Sequence, residues 1–333
     1  MEKERIEGYD NQKCFLIFLV VLGHFLEAHF KYHVPYMKSL FMWIYFFHMP
    51  AFIFLAGLFQ KKSEKLNTRR VVSFIVIGFV SKLLVTITVG IFTGEYSFSL
   101  VRESGMPWFM FAMAAFLVLT HIMRDVKPVF AMIFVIAMGC AIGYDSYFDK
   151  GLLTMNRIIA YFPFYLLGYH LEPNKVMAFC KKKIVKICSL IFSIVYTYMM
   201  FGQIESMFQL RCVIIGRLPY DETILNNGGF LVRLLCYVIA MFAIVSLISL
   251  MPNRKIPIVT TIGKRTLAVY FWHRNAIRVL TYTGVSAFLI SQASGSIWIS
   301  VPVAIILTLL LGWRGWMVPI NYLTKGMYRD KVS

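Results

Sequence analysis

Apolar residues fill ten stretches of the chain, roughly 14–30, 40–59, 71–93, 107–123, 128–144, 157–171, 184–202, 228–250, 266–290 and 296–317, with short polar segments between them. A helix needs about 20 residues to cross a hydrocarbon core of about 30 Å, and a window of about 19 residues picks out each stretch. The pattern predicts an all-α membrane protein, a bundle of about ten transmembrane helices forming one domain over 1–333. The sixth stretch is short and contains Pro163, so it is expected to be tilted, kinked or enclosed by protein. The first holds His24, Glu27 and His29 without a small-residue cleavage pattern, which reads as a retained helix rather than a signal peptide. The longest polar stretch, about 203–227, ends on the turn signal Asn227-Gly228-Gly229.

Composition agrees with that pattern. Hydrophobic residues make up 59% of the chain and charged residues 15%, against about 45–50% and about 25% in soluble domains. The formal charge of +18 would suggest nucleic acid in a soluble protein, but the positions of the basic residues explain it. With residues at the edge of a stretch counted to the adjoining loop or end, 23 of the 34 Lys and Arg fall at the N-terminus, the C-terminal end and the loops after stretches 2, 4, 6 and 8, seven in the opposite loops, and four (Lys82, Arg233, Arg274 and Arg278) deep inside apolar stretches. Positive charge stays on the cytoplasmic side, so both termini are expected there, in a plasma (inner) membrane, multi-pass. No nucleic-acid partner is needed. The six cysteines show neither a disulfide framework nor metal-site spacing, and no metal site is expected.

Ionisable side chains inside the bilayer are costly and mark function. His24 lies ten residues beyond Cys14, about 15 Å along a helix and near the midplane. His48 sits at a matching distance on the return stretch if the hairpin turns near Tyr36, so the two imidazoles are expected to face each other. The plain reading is that each histidine hydrogen-bonds a neighbouring helix; two at matched depth favour proton transfer, for which an imidazole is suited. Glu27 follows His24 by three residues on nearly the same face and can hold its tautomer, or simply lie at the outer interface. Lys82, also deep, is a candidate counter-ion for Glu27. Lys61, Lys62, Lys65, Arg69 and Arg70 precede the third stretch; they set topology and contact anionic lipid, while Arg69 and Arg70 at a helix start suit phosphate. The ninth stretch carries Tyr270, His273, Arg274 and Arg278, with the arginines on one face that should look into the bundle.

In order along the chain come Asp10 and Lys13, Val21-Leu22-Gly23-His24, Phe47-His48-Met49-Pro50 with Gly57, the arginines at 69 and 70, Trp108-Phe109, Arg157 with Phe162-Pro163-Phe164-Tyr165-Leu166-Leu167-Gly168-Tyr169, and Gly263-Lys264-Arg265-Thr266-Leu267-Ala268-Val269-Tyr270 with His273. Their order and spacing resemble acyltransferase family 3, in the branch of fucose 4-O-acetylase-like integral membrane acetyltransferases. The resemblance implies transfer of an acyl group, often acetyl, from cytoplasmic acyl-CoA to a hydroxyl of a cell-envelope, exported or lipid-linked glycan. It implies catalytic work at His24, with His48 and Glu27 beside it, and acyl-CoA phosphate contacts at Arg69 and Arg70, with Lys264 and Arg265. Substrate contacts are expected at Trp108, Arg157, Tyr270, His273 and Arg274. Longer members carry a C-terminal hydrolase-like domain, and Ala56 stands where many relatives have Ser. The alternative class is a transporter or flippase of lipid-linked sugars that uses the same polar residues as a pathway; inverted repeats and paired broken helices would favour it, and the sequence shows neither.

Overall fold

The computed structural model describes residues 6–60, 62–102, 105, 107–145 and 152–326. Among them the chain is helical and no strand is present; Arg102 and Leu152 form a single isolated β-bridge. The elements that build the site are α1 (Glu7–His29), α2 (Met37–Tyr45), α3 (His48–Leu58), α4 (Thr68–Thr93), α5 (Trp108–Ile122), α6 (Pro128–Ala141), α7 (Met155–His170), α8 (Lys183–Gly202), α9 (Gly229–Leu250), α10 (Pro257–Gly263), α11 (Thr266–Tyr282) and α12 (Ser300–Leu311). Short one-turn helices join several of them.

Five units are long and apolar enough to cross a membrane: α1, α2 with α3, α4, α8 and α9. A sixth is the bent pair Ile297–Leu311 and Arg314–Thr324, which turns by 67°. The protein is therefore an integral membrane protein. Burial sorts the spans into layers: 61% of the apolar window of α1 and 67% of that of α2 with α3 is buried, against 28% for α4 and 17% for α8. The first two are central, and the other two present apolar flanks outward.

The second apolar stretch is broken. Tyr36 turns the hairpin in a left-handed conformation, φ 63°, and α2 stops at Tyr45. Pro50 stands in the first turn of α3, where its missing N–H costs no helical hydrogen bond. At the break the His48 side chain takes over the carbonyl of Ile44, with Nδ1 at 2.8 Å. The short helix α7, whose interior holds Pro163, is buried on most sides; the expectation that protein encloses the sixth stretch fits this. It crosses α3 at two glycines. A Cβ on Gly57 would overlap the carbonyl oxygen of Tyr165, and one on Gly168 would overlap that of Phe54. The two backbones touch, as small residues allow between membrane helices.

One end of the bundle is tied by polar contacts. Asn11 of α1 donates to the carbonyls of Pro252 and Arg254, both at 2.9 Å, and accepts from Thr260 of α10 at 2.7 Å. A Cβ on Gly263 would overlap the carbonyl of Asp10. The start of α1, the end of α9, α10 and the start of α11 thus meet at this end, and Lys13 and Arg70 lie there too.

Candidate active site

A cavity of about 320 Å³ begins at that end, beside Lys13 and Arg70, and reaches His24. Helix α1 supplies one wall through Lys13, Ile17, Val20 and His24, spacings of three and four that share a helical face. The remaining wall is apolar and aromatic, from α3, α4, α5 and α11, with Trp108, Phe109 and Tyr270 near the deep end. Asp10 is buried and holds Lys13 by an ion pair, Nζ to Oδ1 2.6 Å. Arg70 donates to Gln60 Oε1 at 2.7 Å and lies over the ring of Phe74 at 5.5 Å.

At the deep end His24 Nδ1 is 3.3 Å from Glu27 Oε2. The contact is off the line of a straight hydrogen bond, and the nitrogen has no other partner among the described residues. Tyr45 donates to the same carboxylate oxygen at 2.5 Å. Its ring is stacked on Phe41 at 4.2 Å and meets the edge of His48 at 4.9 Å. Gly23 makes room for it: a Cβ there would lie 2.9 Å from the Tyr45 ring. The glycine before His24 is explained by that close approach.

The imidazole stacked on His24 is that of His273, with centroids 5.3 Å apart and planes 25° apart. His48 joins the group through the Tyr45 ring instead, so the expected face-to-face pair of His24 and His48 is replaced by His24 with His273. His273 is fully buried, and its Nδ1 is 2.8 Å from the Tyr270 carbonyl and 3.1 Å from that of Val269. Carbonyls only accept, so Nδ1 carries the hydrogen. Nε2 is then a lone pair, buried and without a partner among the described residues. Arg274 and Arg157 lie close enough to act electrostatically on His24, and Arg274 on Glu27.

A family model described as an acyltransferase domain, that of acyltransferase family 3, matches residues 6–316. The chain belongs to acyltransferase family 3. The protein is thus a membrane acyltransferase by family. Neither the curated proteins nor the solved structures give a match to it.

Within this family 3 acyltransferase the residues singled out from the sequence separate into groups. His24, Trp108, Arg70 and Tyr270 line the cavity together, and Glu27, His273, Arg274 and His48 surround its deep end. Arg157 lies over the Trp108 ring at 4.6 Å, and Trp108 is stacked on Tyr161 at 5.6 Å. Arg69 and Lys264 are exposed and Arg265 points to the carbonyl of Gly312 at 3.5 Å; none of the three is on the cavity wall. Lys61 lies outside the described residues. Lys82 is not the counter-ion of Glu27: its ammonium donates to the Arg102 carbonyl at 2.7 Å, beside a second, apolar cavity of about 500 Å³. Tyr45 and Gln60 were not singled out. The one sequence signal for Tyr45 is its position three residues before His48.

Proposed function

We propose that the protein is a plasma-membrane O-acyltransferase that moves an acyl group, in the first place acetyl, from cytoplasmic acyl-CoA to a hydroxyl of a cell-envelope or exported glycan. The bundle has ten spans with both termini in the cytoplasm, which makes the Lys13–Arg70 end the cytoplasmic one. The observation that carries the reading is the one cavity joining a basic mouth to a half-buried imidazole paired with a carboxylate. Lys13 and His24 are eleven residues apart, about 16 Å along α1, so a ligand with its phosphates at the mouth reaches His24 only through a long, slender arm. The pantetheine arm of CoA has that shape, and the apolar wall suits its acyl end.

In this reading the mouth contributes charge. Arg70 and Lys13 bind phosphate oxygens, and the guanidinium can do so through two parallel hydrogen bonds. Glu27 faces Nδ1 of His24 and favours the tautomer with hydrogen there, which leaves Nε2 as the base. Nε2 takes the proton of the acceptor hydroxyl as its oxygen bonds to the thioester carbon. The carbon–sulfur bond then breaks and the proton passes to the departing thiolate. Glu27 stabilises the imidazolium formed between those two events.

The test is incubation of purified protein in liposomes with acetyl-CoA and cell-envelope glycans, following free CoA and glycan mass. The reading expects glycan-dependent CoA release that is absent from His24→Ala. Equal release by both proteins would overturn it.

A further inference from the structure

We infer that Tyr45 is the positioning residue of the site: its hydroxyl hydrogen fixes the Glu27 carboxylate against Nδ1 of His24 and so selects which imidazole nitrogen is basic. The inference rests on the acyltransferase reading for its kinetic consequence, though not for its geometry.

The argument begins with valence. An ionised carboxylate only accepts hydrogen bonds, so Tyr45 must donate to it. The bond is at the short limit, 2.5 Å, and ends on Oε2, the oxygen that lies 3.3 Å from His24 Nδ1. Glu27 stands on the more open side of the site, its side chain a third exposed at 34%. Left to its own rotamers it would swing outward, since fixing a long acidic side chain costs conformational entropy. The Tyr45 hydroxyl opposes that swing.

Tyr45 is itself held firmly. It is the last residue of α2, at the break in the second span. The Phe41 ring covers one face, the edge of His48 meets it, and Gly23 of α1 admits the ring so closely that no Cβ fits beneath it. Three elements therefore fix the position of one hydroxyl. A tyrosine serving only to fill space needs the ring and not the oxygen. This separates the two roles experimentally, because Tyr45→Phe keeps every ring contact and removes the hydrogen bond alone.

Two measurements on the full-length protein in liposomes decide the matter. In the kinetic arm, Tyr45→Phe lowers kcat for acyl transfer by about 10-fold to 100-fold, the range found when the partner that orients a metal-bound histidine is removed. KM for acetyl-CoA stays at the parental value, since the residue is not on the cavity wall. Adding Tyr45→Phe to Glu27→Gln then causes no further loss, because the hydroxyl acts only through the carboxylate. In the spectroscopic arm, 15N-histidine resonances assigned to His24 by their loss in His24→Gln report a Nδ1–H tautomer in the parent and a mixture in Tyr45→Phe. A parental kcat in Tyr45→Phe, full additivity with Glu27→Gln, or an unchanged tautomer each overturns the inference. A parent protein that releases no CoA defeats the acyltransferase reading instead, and the tautomer measurement still decides the role of Tyr45.

Discussion

At the residue scale the site is an ordering of nitrogens and oxygens around His24. Replacing it by Ala or Gln should lower single-turnover acyl transfer by about 10²–10⁴-fold, the usual loss with a general base, while equilibrium binding of CoA stays near parental. A His24→Ala protein retaining more than about a tenth of the parental rate would place the base elsewhere, with Nε2 of His273, which has no partner among the described residues, as the next candidate. The two arginines at the start of α4 should also behave differently. Arg70 is half-buried on the cavity wall and Arg69 is exposed away from it. Arg70→Ala is expected to raise the KM for acyl-CoA by about 10-fold, the lower end for losing a charged hydrogen-bond partner, and Arg69→Ala by much less. Arg70→Lys should recover only part, because an ammonium lacks the planar fork. Equal KM values for the two alanine variants would sink the assignment of Arg70 to the mouth.

At the scale of elements the decisive contact is the crossing of α3 and α7. Gly57→Ala or Gly168→Ala places a methyl against a backbone carbonyl, and overpacking of this kind costs about 1–3 kcal/mol. Each should lower the temperature of thermal unfolding followed by intrinsic fluorescence. Gly202→Ala is the control: its Cβ would meet only the edge of the Tyr198 ring, at 3.2 Å, and should leave unfolding near parental. What the sequence made legible ends at about this scale. Apolar runs gave the helix positions, and the three-residue step from His24 to Glu27 gave their contact, because both are properties of one continuous helix. The stacking of His24 on His273, the donation from Tyr45 and the turning of Lys82 toward Arg102 were not legible. Each depends on which faces of separate helices meet, and the hydropathy of a lipid-embedded helix encodes that weakly. The break between α2 and α3 was hidden for a related reason. Phe46 and Phe47 continue the apolar run, so no polar residue marks the place where the helix stops.

At the scale of the whole molecule, the charge asymmetry makes a claim about sidedness. Accessibility tags placed near residues 64, 127, 178 and 255 should report from the cytoplasm, and tags near 35, 98, 148 (outside the described residues) and 220 from outside. Two or more reversed loops would remove the ten-span arrangement and with it the assignment of the Lys13–Arg70 mouth to the cytoplasmic side. The same asymmetry makes the net charge of +18 mainly a signal of topology.

The glycine crossing has a mechanical consequence for the cavity. Helix α3 forms one side of it and is locked to α7 backbone against backbone, so that side behaves as a fixed jaw. Another side is α4, which carries Arg70 and Phe74, has only 28% of its apolar window buried and so presents much of its apolar surface outward. Strain introduced by a bulky guest is relieved where packing is sparse. The yielding jaw is then α4, so the compressibility of the neighbouring lipid, rather than the stiffness of the protein core, governs how readily the cavity widens.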